Sequence, residues 1–263
     1  MSLSVNVLFV GDVVGLEATR YVCSRIPQLR REHGADLVVV NAENCAPTGL
    51  GMTVELVARL LESGADVITG GNHSWDSAES ERALAHPLVL RPQNLEDGVP
   101  GRGVLHLTVG SEPVTVLNLA DPACMRSVAA VRGKVFHHYR GWVEAERTGT
   151  VIVDFHGDNV IEKQIFAHAV DGEAAAVLGT HSHEATLPLH LLPGGTALVT
   201  DVGMTGPVGG VQGFSADLFV NALRSTGDHF GLGIPGVVEG RIALGAVLLE
   251  IEKGRTVGVS RLE

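Results

Sequence analysis

Positive charge is in short supply. The chain carries 19 Lys and Arg against 30 Asp and Glu, a formal net charge of -11 over 263 residues. Affinity for duplex DNA comes from clustered Lys and Arg, so a dedicated duplex-DNA binder is not expected. A small nucleotide remains open, because a metal ion can supply positive charge locally. Cysteine is scarce as well. Cys23, Cys45 and Cys124 are widely spaced, form no CxxC pair and are odd in number. They cannot all close into disulfides within one chain, and a reducing compartment is the expectation. No run of 18 apolar residues occurs, so no membrane span is expected. The opening MSLSVNVLFVGDVVG lacks the basic n-region of a signal peptide and reads as a strand, which predicts a cytoplasmic protein. The glycines at 11 and 15 do not make a GxGxxG dinucleotide fingerprint. With no internal repeat, low-complexity tract or linker, residues 1–263 are expected to form a single domain.

What remains is a globular composition, 45% hydrophobic and 19% charged, unusually supplied with 33 glycines and 12 histidines. Buried strands are predicted at 5–10, 37–40 and 66–69, and helices at 17–31, 53–61 and 77–85. Thr53 is placed to cap its helix, and Gly34 and Gly64 to stop theirs. This β-α-β-α-β-α order implies a parallel sheet covered by helices. Further on, a hairpin is predicted over 103–118 and a helix near 140–147. Strands follow at 151–155, 174–178 and 196–200, with helices at 160–170 and 215–225. A closing hairpin is predicted at 242–251 and 256–262. Two sheets are expected rather than one.

Strand after strand runs directly into polar residues of the liganding type: Asp12, Glu43, Asn44, Asn72, His73, His156, His181 and His183. In open α/β sheets, sites gather at the carboxyl ends of strands. Four imidazoles, two carboxylates and two amides suit oxygen- and nitrogen-preferring divalent metals. They are too many for one tetrahedral site and enough for two metals sharing a bridging carboxylate, the arrangement that clamps a phosphoryl transfer. The absence of cysteine from the set argues against structural zinc. On a strand, His181 and His183 at i and i+2 would point to one side. The other eight histidines, at 33, 86, 106, 137, 138, 168, 190 and 229, lie outside these motifs and read as surface residues. Adjacent His137 and His138 are expected to diverge. Asp201 is expected to orient a ligand from behind.

The segments GDVVG at 11–15, NAEN at 41–44, GNH at 71–73, DFHGD at 154–158, GTHSH at 179–183 and TDVGMTGP at 200–207 resemble the YmdB family, a bacterial branch of the calcineurin-like metallophosphoesterases. The resemblance implies an α/β fold, a sandwich of two mixed β-sheets flanked by helices. It implies a centre of two metals, iron or manganese, with zinc and cobalt compatible with the same ligands. It also implies phosphodiesterase activity on 2′,3′-cyclic nucleotides, and an oligomer. By position, Asp12 and His183 would hold the first metal, Glu43 would bridge, and Asn72, His156 and His181 would hold the second. Asn44 would touch the first metal or the substrate phosphate, and His73 would sit over the phosphate as the catalytic acid. The wider superfamily opens with D-x-H and bridges with Asp, where this chain has Asp12-Val13-Val14 and Glu43. Those are features of the branch. Gly157-Asp158-Asn159-Val160 and Glu184-Ala185-Thr186 depart from the branch's own runs, and they flank ligands without replacing them.

Metals in such a site would lower the pKa of a bridging water, and the resulting hydroxide would attack phosphorus in line with the leaving oxygen. His73, protonated, would give its proton to that oxygen. Two other readings belong to different classes. One is a phosphomonoesterase or an RNA-processing nuclease. The other is a metal-dependent regulatory protein that binds a nucleotide and turns over slowly.

Overall fold

The computed structural model describes residues 4–225 and 235–262; His229 lies outside them. In chain order, β1 (Ser4–Val10), α1 (Gly15–His33), β2 (Leu37–Asn41), α2 (Val54–Glu62), β3 (Val67–Thr69), α3 (Ala78–Ala83) and β4 (Val89–Leu90) form the first half. A second run follows, of β5 (Val104–Val109), β6 (Glu112–Ala120), α4 (His138–Glu144), β7 (Thr150–His156), α5 (Val160–Ala169), β8 (Ala176–Thr180), β9 (His190–Leu191) and β10 (Ala197–Val199). The remainder is β11 (Gly206–Pro207), α6 (Ala216–Ser225), β12 (Ile242–Ala243), β13 (Ala246–Glu252) and β14 (Arg255–Leu262).

These strands make two six-stranded mixed sheets, ordered β14-β13-β1-β2-β3-β4 and β5-β6-β7-β8-β10-β9, and a two-stranded ribbon of β11 and β12. In the first sheet β1 to β4 are parallel and β13 pairs antiparallel with both β1 and β14; in the second, β6, β7, β8 and β10 are parallel and antiparallel β5 and β9 stand at the two edges. The period-2 alternation of β1 explains the layering. Val5, Val7 and Phe9 face the second sheet and pack with Val114, Val116, Ile152 and Leu178. Leu8 and Val10 face the other way, onto Val22, Ile26 and Leu29 of α1 and Leu56 and Leu60 of α2. On the far face of the second sheet, Val151, Val153 and Phe155 pack under Phe166 of α5 and Trp142 of α4. Each sheet is therefore buried on both faces, which is why its central strands read as continuous apolar runs.

The predicted caps are made. Thr53 Oγ1 accepts from Leu56 N–H at 3.1 Å, and Gly34 ends α1 at φ 58. Three expectations are corrected. The closing hairpin begins at Ala246, because Ile242–Ala243 pairs instead with Gly206–Pro207. Strand β8 stops at Thr180, and His181 and His183 both have positive φ, 95 and 64, so the His-Ser-His segment is a turn and not a strand. His138 is not a surface residue. It is 2% exposed, packs on Phe155 and Phe166, and its ring lies 4.1 Å from that of His137. Burial pushes its imidazole down to about 4.

Candidate metal centre

The carboxyl ends of parallel strands from both sheets meet at one place. Asp12 follows β1, Glu43 and Asn44 follow β2, and Asn72 and His73 follow β3; His156 ends β7 and His181 follows β8. Asp154 clamps the two sheets together directly beneath. Its Oδ2 accepts from Asn41 Nδ2 at 3.0 Å and Thr69 Oγ1 at 2.5 Å, both in the first sheet, and its Oδ1 accepts from Thr180 Oγ1 at 2.7 Å. Burial pushes the Asp154 carboxyl up to about 7 against the pull of those donors.

This clamp decides which nitrogen of His156 faces the site. Thr180 spends its one hydrogen on Asp154, so its oxygen accepts from His156 Nδ1–H at 2.9 Å. His156 Nε2 is then left with its lone pair. Around that atom stand Asn72 Oδ1 at 2.9 Å, His181 Nδ1 at 3.1 Å and Glu43 Oε1 at 3.2 Å. His181 is set in the same way. Its Nε2–H donates to Asp158 Oδ1 at 3.0 Å, which leaves the Nδ1 lone pair turned inward. Asp158 is held below the usual carboxylate range by that bond. Four lone-pair atoms thus converge with no proton to share. Burial lowers His156 to about 4, outweighing the opposing pull of Glu43, so protonation does not relieve the crowding.

This donor set fits a cation. Glu43 is fully buried, and its Oε1 has no hydrogen-bond partner; neither does the buried Asn44 Oδ1, whose amide nitrogen donates to Gly49 O at 2.7 Å. Burial would raise both carboxyls of the site. Asp12 is raised well above the ordinary carboxylate range, with the charges of Asp201 and Glu43 adding to the effect. A metal beside two such carboxylates stabilises both in ionised form. Gly71 keeps the space open: a Cβ there would run into the Glu43 carboxylate and the His156 ring. Gly71→Ala is expected to lower the metal content of the purified protein while leaving its circular dichroism unchanged; unaltered metal content would count against this placement.

Not every strand-end residue stands in the inner cluster. Glu43, His156 and His181 offer ligand atoms within 4.8 Å of one another. Asp12 lies at its edge, 4.0 Å from His156 Nδ1, and accepts from His181 N–H through both oxygens at 3.2 Å. His183 donates Nδ1–H to Gln212 O at 3.1 Å, and desolvation lowers its pKa. His73 gives its backbone N–H to Glu43 Oε2 at 3.2 Å and its Nδ1–H to Asp76 Oδ2 at 2.6 Å. Although burial opposes it, Asp76 raises the His73 pKa, and Glu43 adds to this.

Sequence reasoning did not single out Asn41, Thr69, Asp76, Asp154, Asp158 or Thr180. The polar ends of otherwise apolar β2 and β3, Asn41 and Thr69, were the available signal. Asp201 accepts from Ser182 N–H at 3.1 Å and Ser182 Oγ at 2.8 Å, and so holds the turn between His181 and His183.

The sequence matches the YmdB-like protein family over residues 8–262. It is 33% identical over 251 residues to a 2′,3′-cyclic-nucleotide 2′-phosphodiesterase of Bacillus subtilis, covering 94% of this chain and 91% of that one. The fold superposes on the crystal structure of a hypothetical protein from Thermus thermophilus with TM-score 0.84 and 34% identity, covering 97% of each chain. A novel phosphatase from Mycoplasma pneumoniae gives TM-score 0.85 at 27% identity, over 99% of this chain and 93% of that one.

Proposed function

This chain belongs to the YmdB-like family and is a phosphoric ester hydrolase; from that premise we propose that it is a phosphodiesterase dependent on two metals, opening the 2′ ester of small 2′,3′-cyclic nucleotides. The observation that carries the proposal is the convergence of Glu43, Asn72 and His181 on the unprotonated Nε2 of His156 at 2.9–3.2 Å. In this reading Asn72, His156 and His181 would hold one metal, Asp12 and His183 would hold the other, Glu43 would serve both, and Asn44 would offer its unpartnered Oδ1 to the first metal or to the phosphate. When bound, such metals supply an activated water and neutralise charge on the phosphate oxygens. Iron or manganese is the proposed occupant.

The chain's own groups do the rest. Asp158, Thr180 and Asp201 fix the orientation of the imidazoles and of the turn that carries them. Asp76 accepts the Nδ1–H of His73 and raises its pKa, which favours the acid form. The proton on Nε2 is the one given to the departing ribose 2′ oxygen. The substrate's own negative charge suits a metal site in a chain of net charge -11 only if it is small, since the field around the protein repels polyanions.

The test is product identity. Manganese-supplemented protein incubated with 2′,3′-cyclic AMP is expected to yield 3′-AMP on chromatography. Release of inorganic phosphate from 3′-AMP would instead assign a phosphomonoesterase. Binding without turnover would assign a nucleotide-responsive regulatory protein.

A further inference from the structure

A second group of ligand-type side chains lies outside the strand-end site. His137, His138 and Glu162 bring one ligand atom each to within 4.8 Å of one another. His137 caps α4, His138 is the first residue of that helix, and Glu162 sits in the first turn of α5.

The chemistry of His138 needs an explanation. Its side chain is walled by Phe155 and Phe166, an apolar setting of the kind hydrocarbon side chains usually fill. Instead an imidazole is buried there with no hydrogen-bond partner for Nδ1. With an ion on Nε2, Nδ1 would be the nitrogen that carries the ring hydrogen. Its other nitrogen, Nε2, faces Glu162 Oε2 across 3.7 Å, too far for a good hydrogen bond. That gap is close to the span between two ligands on one tetrahedral ion. Two donors each roughly 2.0–2.2 Å from the metal stand about 3.4 Å apart. The His137 ring does not diverge but lies 4.1 Å from the His138 ring, tilted by 33°. Its Nδ1 accepts from Tyr139 N–H at 3.3 Å, which leaves its Nε2 for a ligand bond.

We propose that His137, His138 and Glu162 bind a single divalent ion of the zinc class, separate from the strand-end centre. Two imidazoles, one carboxylate and no thiolate suit zinc, with water completing the tetrahedron on the exposed side of His137. The ion would join the start of α4 to the first turn of α5. Both approach the strand-end centre through their neighbours. The segment before α4 begins at Asp121, whose N–H donates to His156 O at 2.8 Å, and Asp158 just before α5 holds His181. The clip would therefore brace the outer wall of the centre without entering it.

Glu162→Gln and His137→Asn change the two accessible ligands, so they test the site even where His138→Ala fails to fold. Full-length protein is loaded with zinc, dialysed and compared with each variant by elemental analysis and by zinc titration. The expected result is one zinc per chain fewer in each variant, or binding weakened by at least about tenfold. A crystal of the wild type soaked in zinc should show an anomalous peak among the three side chains. Equal zinc content in wild type and both variants, binding at millimolar zinc only, or no peak at that place would overturn the proposal.

Discussion

His73→Ala is expected to lower kcat on 2′,3′-cyclic nucleotides by roughly 10²–10⁴-fold, the usual contribution of a positioned general acid, while metal content stays at the wild-type value. The separation is possible because His73 serves the centre in two ways. Its backbone N–H donates to Glu43 Oε2, and that bond survives the substitution. Its imidazole, held by Asp76, does not. Asp76→Asn refines the test. Burial alone would depress the His73 pKa, and the Asp76 bond together with the charges of Glu43 and Asp76 raises it above the ordinary histidine range. The acid form therefore persists above about pH 6.5 and is lost as pH rises through the raised value. Without the Asp76 carboxylate, the basic limb of the kcat profile should move to lower pH. A profile that does not move would remove His73 from the role of acid. Loss of metal in His73→Ala would instead make it a ligand.

The second large effect concerns stability. Lys163 is buried to 1% side-chain exposure beside Asp201, itself 4% exposed. Its ammonium donates to Thr180 O at 2.8 Å and to Asp201 Oδ2 at 3.3 Å. Lys163→Met keeps the stem and removes the charge, leaving a buried carboxylate without its cation. Breaking a buried pair from one side costs about 3–5 kcal/mol. The lower end applies here, because Ser182 and Gly203 still donate to Asp201. A fall in Tm of roughly 6–12 °C is expected for a chain of this size. The double variant Lys163→Met with Asp201→Asn should recover part of the loss, since it leaves no charge uncompensated. Equal Tm values for wild type and Lys163→Met would mean that the pair contributes nothing.

Strands β1 to β3 and helices α1 to α3 are legible in the sequence because each buried strand is a short apolar run ended by polar residues, as in Val7-Leu8-Phe9-Val10 before Gly11-Asp12, whereas the two-residue β4 and the place of β13 and β14 in the same sheet are not. Helix boundaries were legible where a side chain or a glycine enforces them, at Thr53 and Gly34. The strand-end residues could be collected for the same reason: each sits where a parallel strand delivers it. What the sequence hides is long-range. Asp154 meets Asn41 across 113 residues and Thr69 across 85, and no local pattern records that two sheets close on one carboxylate. The turn at His181-Ser182-His183 was misread as strand because its positive φ values are imposed from outside, by Asp201 on Ser182 and by Gln212 on both Ser182 and His183. His138 was misread because the aromatic wall that buries it comes from β7 and α5, not from its neighbours in sequence.

If the strand ends hold two metals that share Glu43, the metal content of the protein will report it. Elemental analysis of wild-type protein reconstituted with manganese or iron is compared with that of Glu43→Ala, with zinc omitted throughout. About two metals per chain are expected in the wild type and markedly fewer in the variant, because Glu43 lies 3.2 Å from His156 Nε2 and its Oε1 has no hydrogen-bond partner. Less than one metal per wild-type chain after reconstitution, or equal content in the two proteins, would contradict it.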